Sequence, residues 1–254
     1  ISFKGMYNRR SDWENRYRIS YKKLNSKADK QSIVMQTKAG AADTKNARLE
    51  LQQTMDYTLD GEHIFGNVKM DWAASYSRAT EERPNERYAS YKYNNKKAKL
   101  DFGEGFKDVG DRQPYYATPL PSLDDTNWKL DELDNANQDI VENEWKGRLN
   151  FTLPITGGLY GNTLKFGAKY TSKNKTRDKS FFDYDPDEVL GDNWRDLTTQ
   201  QIRSGFMPGN QYPDNSPFIS KQTLGSIDFS KYTGTENYEE EAGNYKIREQ
   251  ITAG

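Results

Sequence analysis

The chain has 254 residues, 33% of them apolar and 30% charged, with a net charge of −1, one histidine and no cysteine. Near-neutral charge gives no electrostatic footprint for nucleic acid, and the missing cysteines exclude a disulfide framework and thiolate chemistry. The apolar share falls well below the roughly 45–50% of an ordinary globular domain, whereas an aromatic content of 13% is too rich for a disordered chain.

Period-two alternation runs through the chain. Ile1, Phe3, Gly5 and Tyr7 open it in a weak form. Leu49, Leu51, Met55, Tyr57 and Leu59 then alternate with Glu50, Gln52, Thr54, Asp56 and Thr58, and only Gln53 breaks phase. Ile64, Gly66, Val68, Met70, Trp72, Ala74 and Tyr76 form the next run. Val141, Trp145, Gly147, Leu149, Phe151 and Leu153 form another, and Leu164, Phe166, Ala168 and Tyr170 the next. Gly243, Tyr245, Ile247, Ile251 and Ala253 close the series. Alternation of this kind predicts extended strands with one apolar and one polar face. Strands of soluble domains usually stop after about 5–6 residues, whereas a bilayer-crossing strand needs about 9–11. No apolar run approaches the roughly 18 residues of a membrane helix, a test to which barrel strands are blind.

The connections alternate in length. Leu59–His63 and Pro154–Asn162 read as short hairpin turns, with Gly and Asp for positive φ and Pro154 unable to donate to a ladder. Three long polar connections span roughly Arg10–Asn46, Ala79–Asn137 and Asn174–Asn237. Short turns alternating with long loops are the pattern of outer-membrane barrels. The predicted fold is therefore all-β: about six antiparallel strands, a segment of a large transmembrane β-barrel with short periplasmic turns and long extracellular loops. Its apolar face, carrying Tyr57, Trp72, Tyr76, Trp145, Tyr170 and Tyr245, is expected to meet lipid. Its polar face, carrying Lys69, Asp71, Glu142, Glu144, Lys146, Arg148, Lys165 and Lys169, is expected to line water. A soluble sandwich or propeller is the competing architecture. Residues 1–254 read as one partial barrel domain, entered and left in mid-strand.

Two stretches sharpen this reading. Ser2–Trp13, SFKGMYNRRSDW, resembles an early barrel strand of TonB-dependent outer-membrane receptors, especially those of Bacteroidetes-type bacteria. Leu164–Tyr170, LKFGAKY, followed by Lys173–Asp178, resembles another recurring strand of that family. The resemblance implies a plugged barrel of about 22 strands, with the plug and most of the wall outside these residues. It implies a protein of the bacterial outer membrane that imports a nutrient too large for porins: a siderophore, an oligosaccharide or a peptide. Its implied partners are outer-membrane lipid, the TonB system acting through the plug, a surface lipoprotein and the nutrient itself. A passive porin-like barrel and a soluble, surface-attached carbohydrate-binding β protein are the alternatives.

No enzyme chemistry is expected, and no cofactor. His63 alone cannot supply a triad or a zinc site, and it falls in a predicted turn. Asp183, Asp185 and Asp187 have the alternate spacing of a calcium loop, but Glu188 and Trp194 stand where Gly and Glu are required. Asp124, Asp125, Asp131, Glu132 and Asp134 form a looser acidic group. The ligand-binding candidates are loop aromatics able to stack on sugar or siderophore rings: Tyr88, Tyr91, Tyr93, Tyr115, Tyr116, Trp128 and Trp194, with Arg195 to orient a polar group.

Overall fold

The computed structural model of the protein describes residues 1–22, 31–95, 120–155, 162–200 and 217–254. Strands occupy all six segments read as such, except that the Ile64–Tyr76 run is broken by a turn at Gly66-Asn67 and the last strand starts only at Tyr245, and the described architecture is mostly antiparallel β. β1 (Ser2–Glu14) continues past Asn15 into β2 (Arg16–Lys22), and β3 (Gln31–Gly40) returns beside β2. A kinked excursion over residues 41–47 leads into β4 (Arg48–Phe65), whose residues 48–60 pair with the whole of β1. β5 (Val68–Asn95) and β6 (Trp128–Ile155) follow, each 28 residues long. At roughly 3.3 Å per residue each spans about 90 Å, far more than a bilayer requires. β7 (Asn162–Asp183) pairs with β6, and both the two-residue β10 (Thr235–Glu236) and β11 (Tyr245–Ala253) pair with β7. The sheet order is β1-β4-β5-β6-β7, and β3 adds to the upper half of β5 where β4 leaves off. The sheet does not close on itself among the described residues.

The first hairpin turns at Gly66-Asn67, not at Leu59–His63, because β4 stays paired as far as Phe65 opposite Val68. Gly66 has φ 60° and Asn67 is not left-handed, the arrangement of a two-residue II′ turn, which matches the twist of the flanking strands. The shift has two consequences. Ile64 falls opposite Lys69 on the polar face, and His63 sits on a strand instead of in a turn. The imidazole lies parallel to the Trp72 indole, centroids 6.5 Å apart, and 6.1 Å from Phe65. Gly61 faces Trp72 across the same pair, and a Cβ there would come within 2.8 Å of the indole. Of the second expected turn, Pro154, Ile155 and Asn162 are still paired strand residues, and residues 156–161 lie outside the described residues.

The expected loops are shorter than the sequence pattern implies. Much of Arg10–Asn46 and Ala79–Asn137 is strand, because β1, β5 and β6 run on and β2 and β3 pair with each other. The break signals Pro84 and Asn85 mark a bulge in place of a loop. The β5–β6 register shifts between Arg83 and Glu86, Asn85 takes φ 49°, and its N–H donates to Asn137 Oδ1 at 2.8 Å. A proline and a left-handed residue fit there because the ladder is already interrupted.

Cross-strand register collects the apolar side chains on one face. The rows run Leu153–Leu164, then Met70–Phe151–Phe166, Trp72–Leu149–Ala168, Phe3–Leu59–Ala74–Gly147–Tyr170 and Tyr57–Tyr76–Trp145. Phe3, Leu59, Trp145, Leu149, Leu164, Phe166 and Tyr170 are all exposed. The next row, Tyr7–Met55–Arg78–Asn143–Asn174, is polar on β5, β6 and β7, so the band ends there on those three strands and runs one row further on β1 and β4. At that edge Tyr76 packs on Trp145 at 4.5 Å and donates its hydroxyl to Asn143 Oδ1 at 3.0 Å. On β6 the band covers the nine residues Trp145–Leu153, about 27 Å along the strand.

Tyr245 departs from the expected arrangement. It lies opposite Arg177, and Ile247 opposite Lys175, on the polar face. β11 meets β7 mostly above Tyr170, past the end of the apolar band.

Candidate functional site

Above the band the sheet carries a second, buried apolar cluster. Ile33 and Met35 of β3, Tyr91 and Tyr93 of β5, and Trp128, Leu130 and Leu133 of β6 supply its floor. The segment after β7 covers it. α1 (Pro186–Leu190) brings Leu190, the following turn Trp194, the short pair β8 (Thr198–Gln200) and β9 (Pro217–Ile219) Phe218 and Ile219, and α2 (Lys221–Ser226) Leu224. Asp185 starts α1 by accepting from the N–H groups of Asp187 and Glu188 at 2.9 and 3.3 Å. The carboxylate with calcium-loop spacing thus serves as a helix cap. Among the described residues no group of three or more acidic or histidine side chains converges closely enough for a metal.

Five of the eight ligand-binding candidates meet in this cluster, and they face inward. Tyr91, Tyr93, Trp128 and Trp194 are buried. The Tyr91 ring lies 5.1 Å from Trp128 and 4.8 Å from Trp194, and Tyr93 lies 5.0 Å from Trp128. Tyr91 donates to the Pro217 carbonyl at 2.6 Å, Tyr93 to Asp125 Oδ2 at 2.9 Å, and Trp128 Nε1 to the Ser122 carbonyl at 3.0 Å. Burial raises the Tyr91 hydroxyl above its ordinary range. Arg195 completes the group: its Nε donates to the Leu123 carbonyl at 2.8 Å, and its guanidinium lies over Trp194. The exposure expected of these rings is therefore not found, because the chain after β7 folds back over them. Tyr88 stands apart on the polar face, half-buried, stacked on Phe181 at 6.1 Å and donating to Glu86 Oε2 at 2.7 Å. Tyr115 and Tyr116 lie outside the described residues.

The polar face is a ladder of opposite charges. Lys4 pairs with Asp60 at 3.1 Å, Lys69 with Glu62 at 2.8 Å, Arg83 with Glu50 at 2.7 Å and Lys173 with Glu142 at 2.7 Å. Asp71 accepts from Asn150 at 2.8 Å and lies 3.6 Å from Arg148. All eight polar-face residues expected from the alternation share this side. Two open grooves of about 600 and 590 Å³ lie on it, one beside Asp71, Arg148, Lys165 and Lys169, the other beside Lys4, Asp60, Glu62 and Lys69.

Higher on the same face, register builds a charged patch that the sequence pattern did not single out as a unit. One row reads Arg16–Lys38–Tyr88–Asp134–Asp183 across β2, β3, β5, β6 and β7, and the next reads Arg18–Gln36–Ser90–Glu132. Asp134 is buried, and burial, reinforced by the neighbouring Glu132 and Asp183 carboxylates, pushes it up to about 9. Gln36 Nε2 donates to Glu132 at 2.8 Å and Asn237 Nδ2 to Asp183 at 2.8 Å, while the buried Asp134 between them favours its protonated form. Arg16 and Lys38 alternate correctly for strands, but both sit in the stretch whose polarity reads as loop.

The neutral Asp134 has a measurable consequence. Between about pH 4 and pH 9 the folded chain holds a proton that the unfolded chain releases, so this carboxyl costs stability as pH rises through that window. Asp134→Asn removes the cost. Unfolding free energies of wild type and variant are expected to coincide near pH 4. They should separate in favour of the variant by on the order of 2–3 kcal/mol at pH 8–9, local rearrangement having relieved part of the charging penalty. Parallel curves over pH 4–9 would contradict the assignment.

Comparison of the chain with protein-family models, with curated proteins and with solved structures gave no match in any of the three.

Proposed function

We propose that the chain is part of the wall of a TonB-dependent transporter in a bacterial outer membrane, importing a nutrient too large for porins. The observation that carries the reading is the exposed apolar band, contiguous across five strands and edged by Tyr57, Tyr76, Trp145 and Tyr170. Exposed apolar patches that large are uncommon on soluble monomers. A nine-residue span, Trp145–Leu153, with an aromatic row at its upper edge fits the roughly 25 Å apolar belt of a tilted barrel wall. The opposite face, with its paired charges, suits a wet interior. The transporter assignment, as distinct from a passive barrel, rests on the resemblance of Ser2–Trp13 and Leu164–Asp178 to strands of that family. In this reading the protein breaks no bonds. Solute is held on the outer side and released inward when the inner-membrane machinery moves the plug.

Brominated-lipid quenching tests the band. In reconstituted protein keeping one tryptophan at a time, Trp72 and Trp145 should be strongly quenched by brominated acyl chains, and Trp128 and Trp194 scarcely at all. Equal quenching at all four positions would overturn the membrane reading. Nutrient uptake that continues after the TonB system is disabled would leave the band intact and replace the transporter with a porin.

A further inference from the structure

We propose that Arg16, Arg18 and Lys38 form a docking site for a solute bearing clustered oxyanions, carboxylate or phosphate, on the polar face above the apolar band. The three cations are neighbours by register: Arg16 is directly opposite Lys38, and Arg18 follows one pleat along β2. Directly opposed residues have Cα atoms about 4.5–5.5 Å apart, and same-face residues along a strand about 7 Å, so the three charges converge on one small area. Like charges placed opposite each other weaken a strand pair. At Lys4–Asp60, Lys69–Glu62 and Arg83–Glu50 on this face the sheet sets a lysine or arginine against a carboxylate. Here it does not. Among the described residues neither guanidinium has a carboxylate within ion-pair distance, and the Lys38 ammonium sits 4.1 Å above the Tyr88 ring.

The carboxylates that could neutralise the cluster are committed elsewhere. Glu86 is held by Arg48 at 2.7 Å and by Tyr88, Glu132 by Gln36, and Asp183 by Asn237. Burial and repulsion from Arg16, Arg48 and Arg18 bring the Lys38 ammonium down to about 8, and attraction from Glu132 offsets this only in part, as expected where cations outnumber the anions facing them. Arg16 and Arg18 are exposed, so a solute can reach them. In the row beside Lys38, the Ser90 hydroxyl is buried without a hydrogen-bond partner, leaving a donor at the base of the site. The site faces away from the apolar band, so the ligand is a solute and not a lipid headgroup.

The inference rests on the barrel reading only for the side from which the solute arrives. Its test is independent of the quenching experiment, so either can fail alone. Amine modification of Lys38 is followed by mass spectrometry on the intact protein in detergent at pH 8. The probes are inorganic phosphate, citrate, and sodium chloride at matched ionic strength, and the exposed Lys231 serves as internal reference. Phosphate or citrate should slow Lys38 modification at least five-fold, saturably, while Lys231 is unaffected. Which of the two protects at lower concentration identifies the oxyanion. Arg16→Gln and Arg18→Gln, both at exposed strand positions, should each reduce the protection ratio, and the double variant should abolish it. Equal protection by chloride, no protection by either anion, or protection that survives in the double variant would overturn the proposal.

Discussion

Leu149→Arg is expected to lower the stability of the protein in a bilayer by about 2–4 kcal/mol, the cost of an arginine at mid-depth on the lipid face of a barrel. Leu149 lies in the middle of the apolar band, in the row Trp72–Leu149–Ala168, and is 40% exposed. On a surface bathed by water the same change would move stability by no more than about 0.5 kcal/mol. The substitution therefore separates a lipid-facing band from an ordinary wet face. Asn143→Arg, on the same face but one row above Trp145, is the matched control, with an expected cost of about 0–1 kcal/mol because it lies at or beyond the interface. Denaturant unfolding of both variants in lipid vesicles reads the difference. Equal effects at Leu149 and Asn143 would remove the case for a bilayer around these strands.

The band was legible in the sequence because a solvent boundary writes itself into a period of two. Leu49–Leu59, Met70–Tyr76, Trp145–Leu153 and Leu164–Tyr170 keep one phase, and the cross-strand register confirms that phase pair by pair. Legibility failed at the ends of the strands for identifiable reasons. Leu59–His63 contains Asp60-Gly61, a strong turn signal, yet Gly61 is there to make room for the Trp72 indole and the chain turns five residues later. Above the band both faces of β5 are polar over Thr80–Arg87, so alternation vanishes while pairing continues. Pro84 and Asn85 then imitate a loop because a bulge and a loop need the same backbone freedom.

The charged patch was hidden for a different reason. Its members come from five strands and from three stretches of sequence, and only register brings Arg16, Lys38, Tyr88, Asp134 and Asp183 into line. Asp134 and Glu132 could be noticed as acidic, but their neighbours across the sheet could not. A carboxylate next to Lys38 in sequence would have settled the charge locally. Instead Lys38 is flanked by Thr37 and Ala39, so its environment is entirely tertiary.

Trp128→Ala should cost about 3–5 kcal/mol, as expected for an aromatic side chain truncated in a packed core. Trp128 is 1% exposed and joins Tyr91 to Tyr93, and its removal also strips the Ser122 carbonyl of a donor. The damage should be local. Register shifts between Arg83 and Glu86 and between Ser90 and Tyr91 separate the upper cluster from the band, where β5 and β6 stay paired without interruption from Lys69 to Arg83. Hydrogen exchange is thus expected to accelerate at Tyr91, Tyr93 and Leu130 while the amides of Trp145, Leu149 and Phe151 keep their protection. Uniform loss of protection would mean that the two regions fold as one unit. The same variant distinguishes packing from recognition at the aromatic candidates. If the rings only hold the cluster together, solute binding should fall in proportion to the folded fraction. If Trp128 instead contacts solute, binding should fall under conditions where the cluster remains fully protected.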